Sequence, residues 1–153
     1  MRTIKFRGKR IDNGEWIYGN LFIPNKFVKG VYICPETSYA DFYPEFSDGD
    51  SFEEVKARQD GITLGHFHEV HSESIGQFTG LLDKNSKEIY EKDIVKCSSG
   101  CPHTVEWVKE HGGTFFGGMP TWYLSGLNTG YAWSGDEELI GNTTDTPELL
   151  TKK

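Results

Sequence analysis

Apolar and polar positions along this chain alternate with a period of two in many short runs, the mark of half-buried strands. Thr3, Lys5 and Arg7 fall on one side of a first strand, and Ile4 and Phe6 on the other. Asp12-Asn13-Gly14 follows and predicts a turn, because Asn and Gly tolerate positive φ. Glu15 to Ile23 then returns antiparallel, completing an N-terminal hairpin that Pro24-Asn25 ends. In the middle of the chain two apolar runs, Ile75 to Leu82 and Ile89-Tyr90, flank a polar turn. Glu91-Lys92-Asp93 then predicts a tight turn into a new strand from Ile94. Further strands are predicted over residues 28–34, 62–74, 104–108, 122–124 and 138–142.

Helical signals are few. Ser51 and Glu54 have capping-box spacing and predict a short helix. Thr146-Pro147-Glu148-Leu149-Leu150 predicts an N-cap, a proline at the first position and one helical turn. The fold class expected is mainly β: a small, strongly bent barrel with additional strands and hairpins and one or two short helices. Residues 1–153 are expected to form a single domain, with residues 35–61 and 109–135 as insertions. Composition agrees, since hydrophobic content is only 36% but aromatics reach 14%, so large rings replace aliphatic side chains as filler.

Charge narrows the partners. Sixteen Lys and Arg against 23 Asp and Glu give a net charge of −7, with no general attraction for phosphate. A nucleic-acid contact would need a local patch. Lys5, Arg7 and Lys9, on one strand face and followed by Arg10, are the candidates, or else simply a solvated face. Three cysteines, no signal-peptide pattern and no apolar run near the ~20 residues that span a bilayer predict free thiols, a cytoplasmic setting and no membrane partner.

Two stretches carry metal-ligand residue types. In His66-Phe67-His68-Glu69-Val70-His71, a strand would put His66 and His68 on one face, as two ligands of one Zn²⁺ or as ordinary strand histidines. Cys97-Ser98-Ser99-Gly100-Cys101-Pro102-His103 places two thiols at a permissible zinc spacing with an imidazole as third donor. The same residues suit a redox pair or unliganded loop thiols. A fourth ligand would have to come from His111, Cys34 or the residues near His66. Asp83, Glu88, Glu91 and Asp93 could serve acid–base or Mg²⁺ chemistry, but the hairpin and tight turn need carboxylates to hold backbone amides. Neither a nucleophilic-serine motif nor a phosphate-binding glycine motif occurs. Trp107, Phe115, Phe116, Trp122, Tyr123, Tyr131 and Trp133 are core filler or, in part, an exposed patch; Trp122 and Tyr123 are the interaction candidates taken from this set.

Three blocks carry a family likeness. They are Arg2 to Arg7 followed by Trp16-Ile17-Tyr18-Gly19; Ser74 to Leu81 with Asp83-Lys84-Asn85, Lys87 to Glu91 and Asp93-Ile94-Val95; and Leu139 to Asn142 with Thr146 to Leu150. On these residues the chain resembles the YopX family, small proteins encoded in bacteriophages and prophages. The resemblance implies an SH3-like β-barrel core with extra elements and a mobile-element origin, and it supplies no activity to carry over. Lys92 stands where the family usually has Gly, so a positive-φ turn there would cost about 1 kcal/mol or more. The functional expectation is a non-enzymatic accessory protein without a cofactor, acting through an unknown protein partner or as a homo-oligomer. The alternatives are a nucleic-acid-binding module on the basic N-terminal strand and a metal-dependent hydrolase using His66, His68 and a donor from Cys97 to His103.

Overall fold

In the computed structural model, residues 3–23, 29–35, 67–108, 121–126 and 133–151 are described. The period-two alternation is realised as antiparallel strands: β1 (Phe6–Lys9), β2 (Trp16–Phe22), β3 (Tyr32–Cys34), β4 (His68–Glu69), β5 (Gly76–Leu82), β6 (Glu88–Tyr90), β7 (Asp93–Lys96), β8 (Pro102–Val108), β9 (Thr121–Leu124) and β10 (Glu138–Asn142). Two single 3-10 turns, Ser72–Ser74 and Pro147–Leu150, are the only helical elements among the described residues. The chain divides into two compact units, Ile4–Ile75 in one and Gly76–Lys153 with Met1–Thr3 in the other.

In the first unit, β1 and β2 pair from Phe6↔Gly19 to Lys9↔Trp16, β2 meets β3, and β3 meets β4. The Asp12-Asn13-Gly14 turn forms as expected. Gly14 takes φ +73°, and Asn13 Oδ1 accepts the Glu15 amide at 3.0 Å. Ile33 and Val70 are buried here. The strand expected through Ser74 stops at Glu69, because Ser74 folds back: its hydroxyl donates to the His71 carbonyl at 2.6 Å and accepts the Lys9 amide at 2.7 Å.

In the second unit, β5 and β6 form the middle hairpin, and β7 to β10 form a sheet in the order β10-β7-β8-β9. Ile89, Val95, Cys97, Val105 and Leu124 are its buried core, with Leu81, Trp122, Trp133 and Leu139 packed around them. The turn between β6 and β7 is a hub. Its Lys92 amide donates to the Val105 carbonyl, its Lys92 carbonyl accepts the Thr143 amide, and Asp93 Oδ2 accepts the Tyr90 amide at 2.7 Å. Lys92 takes φ +69°, the conformation its family-typical glycine would adopt freely. The C-terminal turn forms where expected, but Thr146 makes no side-chain cap. Its hydroxyl instead accepts the Asn142 amide and donates to the Asn142 carbonyl, both at 3.1 Å.

The expected barrel is not closed among the described residues. The ends of β1 and β4 meet in a single antiparallel bridge, Arg10↔Val70, where the Ile11 amide donates to the Glu69 carbonyl and the His71 amide to the Lys9 carbonyl, but no longer ladder joins them, and none joins β9 to β10. Strands of three residues at β3 and two at β4 make ladders too short to carry the stagger that closure requires. The helix predicted from Ser51 and most of the insertion at residues 35–61 lie outside the described residues, as do 109–120 and 127–132 of the second.

Candidate functional site

The β7–β8 connection gathers the strongest ligand set. The Cys97 amide donates to the Cys101 carbonyl at 3.0 Å and the Gly100 amide to the Cys97 carbonyl at 2.8 Å, with Gly100 at φ +87° completing the turn. This brings the chain back so that the Cys97 and Cys101 sulfurs and a His103 ring nitrogen all lie within 4.8 Å of one another. It is the only His, Cys, Asp and Glu trio of that kind among the described residues. Cys97 is buried in the core and Cys101 is exposed. Burial pushes the Cys97 thiol up, but hydrogen bonds from the Cys101 and Ser99 amides and from His103 outweigh it and hold the thiol below its ordinary range. Burial pushes the thiol of Cys34, at the end of β3, up.

His103 is oriented from the far side. Its Nδ1 lies 2.7 Å from the Ser125 carbonyl, an acceptor only, so Nδ1 carries a proton and donates there. Nε2 is buried and has no nitrogen or oxygen partner. Ser125 also fixes the neighbouring backbone, its amide donating to the Thr104 carbonyl and its hydroxyl accepting the Thr104 amide at 2.9 Å. Nothing in the local sequence pairs Ser125 with His103; the β8–β9 register brings them together. Beside the cluster lies a polar depression of about 410 Å³ lined by Lys84, Lys96, Cys97, Ser98, Asp136 and Glu138, among others. Lys84 Nζ bridges Glu138 Oε2 at 2.7 Å and holds that carboxyl below its usual range.

The acidic residues of the middle hairpin are scaffold. Asp83 is buried, and Oδ1 accepts the Asn85 amide at 2.7 Å and the Lys87 amide at 2.9 Å, while Oδ2 accepts the Leu139 amide at 3.2 Å. Glu88 accepts from the Tyr90 hydroxyl at 2.7 Å. Glu137, which the sequence did not single out, is fully buried and receives the Ser134 amide and hydroxyl and the Gly135 amide.

The other candidates are dispersed. Lys5 and Lys9 are half-buried, and Arg7 is buried with its guanidinium 4.7 Å from the Trp16 ring centroid, so the strand face is not simply solvated. Arg10 makes a two-pronged bond to Asp12. His68 sits on β4 opposite Ile33, while His66 and His111 lie outside the described residues. Trp122 and Tyr123 are half-buried on β9, and Trp122 packs edge-on against Trp107 with centroids 4.8 Å apart. Trp107 itself is 40% exposed. No helix among the described residues is long and apolar enough to cross a membrane.

A family model described as YopX protein matches residues 5–151. The crystal structure of protein EF1440 from Enterococcus faecalis is similar to this chain with a TM-score of 0.51 at 20% sequence identity, covering 98% of this chain and 99% of that one. At that identity the likeness speaks for the fold alone. No curated protein matches the chain. The family match runs through both units, the Lys92 turn and the Cys97 to His103 loop, and on that span the chain belongs to the YopX family.

Proposed function

We propose that this protein is a non-enzymatic accessory of a bacteriophage or prophage that acts in the host cytoplasm by binding another protein. The observation that carries the reading is Trp107. Tryptophan is the residue type most enriched at interaction hot spots, and here it stands 40% exposed on β8 beside exposed Glu106. Trp122 backs it, and Tyr123 lies opposite Glu106 in the register. The buried acids Asp83 and Glu137 are occupied by backbone amides, which supports a scaffold role for them in place of acid–base chemistry. A net charge of −7 favours a basic partner segment that brings an apolar anchor to Trp107. The SH3-like core implied by the family likeness fits such a module, though only as a likeness of fold.

Affinity capture from host lysate with wild type and Trp107→Ala side by side tests this. The expected result is one protein enriched by wild type and lost with the variant, then bound directly as a purified basic partner. A monomeric mass with no capture that depends on Trp107 would overturn the reading. An oligomeric mass abolished by Trp107→Ala would put a second copy of the chain there in place of a foreign partner. The nucleic-acid alternative is weakened by Arg7 and Arg10, which are engaged with Trp16 and Asp12.

A further inference from the structure

We propose that Cys97, Cys101 and His103 form a binding site for one thiophilic divalent cation, zinc in the first place. Tetrahedral zinc, with Zn–S near 2.3 Å and Zn–N near 2.0 Å, needs donors roughly 3.5–4 Å apart. The three donor atoms here already lie within 4.8 Å of one another, so the trio closes on an ion by small side-chain rotations. The backbone does not have to move. The Cys97–Cys101 and Gly100–Cys97 hydrogen bonds set the loop, and the β7–β8 ladder pairs His103 with Val95.

His103 is prepared for the role. Ligating histidines usually donate their other ring N–H to a carbonyl or carboxylate, which fixes the tautomer and the ring plane. The Ser125 carbonyl does this at Nδ1, leaving Nε2 buried and without a nitrogen or oxygen partner. A thiol is only a weak hydrogen-bond partner for a buried imidazole nitrogen, and a cation at the thiols satisfies that nitrogen better. Two sulfurs and an imidazole select zinc, cadmium or cobalt over magnesium and calcium, which prefer oxygen. Exposed Cys101 gives the ion its entry path. The fourth position is left to water. The bound ion clips β7 to β8 across their shared turn, a structural part independent of the protein-binding reading above.

The test is titration of the full, untagged, reduced chain with Co²⁺ under inert gas, followed by displacement with Zn²⁺. The expected result is one Co²⁺ per chain with the intense bands of tetrahedral thiolate coordination, all lost on adding Zn²⁺. Cys101→Ser and Cys97→Ser should lose the thiolate-to-metal intensity, and His103→Ala should weaken binding by about tenfold or more. Cys34→Ser should keep the full spectrum. Should buried Cys97→Ser fail to fold, exposed Cys101→Ser still decides, together with alkylation of wild-type Cys101, which Zn²⁺ should suppress. Weak octahedral bands, an unchanged spectrum in Cys101→Ser, or no protection of Cys101 would overturn the site. So would a Cys97–Cys101 disulfide in air, seen as loss of the two thiol hydrogens, in a chain that binds no metal when reduced.

Discussion

Asp83 shows how much structure one side chain can hold, since a single carboxylate receives amides from its own turn and from β10. Asp83→Ala strands those donors and should cost about 2 kcal/mol, read as a fall in the urea midpoint at unchanged slope. Burial alone would raise this carboxyl, but the Lys87, Leu139 and Asn85 amides outweigh it and keep it below its ordinary value. A folded value below the unfolded one means the contribution is complete above the unfolded pKa of about 3.9 and is lost as pH falls through the folded value. Wild type should therefore lose midpoint faster than Asp83→Asn as pH drops from about 5 towards 3; parallel curves would assign the acid sensitivity to other groups. Lys92 is the opposite case, a residue the fold tolerates at a cost. At φ +69° its Cβ is strained, so Lys92→Gly should stabilise by about 0.5–1 kcal/mol, while Lys92→Val should destabilise.

Among the elements, the period-two pattern and the turn residues together fixed most of what formed. The Asp12-Asn13-Gly14 turn, the middle hairpin, the turn into β7 and the β10 strand all stand where alternation and turn chemistry put them. Sequence reasoning faltered where long-range contacts decide. The hydroxyl of Ser74 ends a run that reads as strand, and Ser125 orients His103 only because β8 and β9 share a register. The metal-type trio was legible as residues, since the loop pattern names Cys97, Cys101 and His103 together, whereas the convergence of their donor atoms depends on the turn and on the place of His103 in β8. Two glycines in the family-like blocks have a steric reason visible only in three dimensions. A Cβ on Gly76 would sit 2.4 Å from the Glu91 carbonyl oxygen, and one on Gly141 would sit 2.1 Å from Thr146 Oγ1. Alanine at either position should cost about 1–3 kcal/mol, with a lower urea midpoint as the readout.

For the whole chain, charge outweighs the local basic strand. A net charge of −7 with Arg7 buried and Arg10 bound to Asp12 predicts no retention on heparin and no DNA binding at low salt. Retention that falls steeply with added salt would revive the nucleic-acid alternative. Two of the four tryptophans, Trp107 and Trp122, meet edge-on with centroids 4.8 Å apart. Indoles held that close couple their transition dipoles, so the folded chain is expected to show a paired positive and negative band in circular dichroism that vanishes when either ring is replaced. Unfolding, and any change in how the two rings meet, could then be followed on the unlabelled protein.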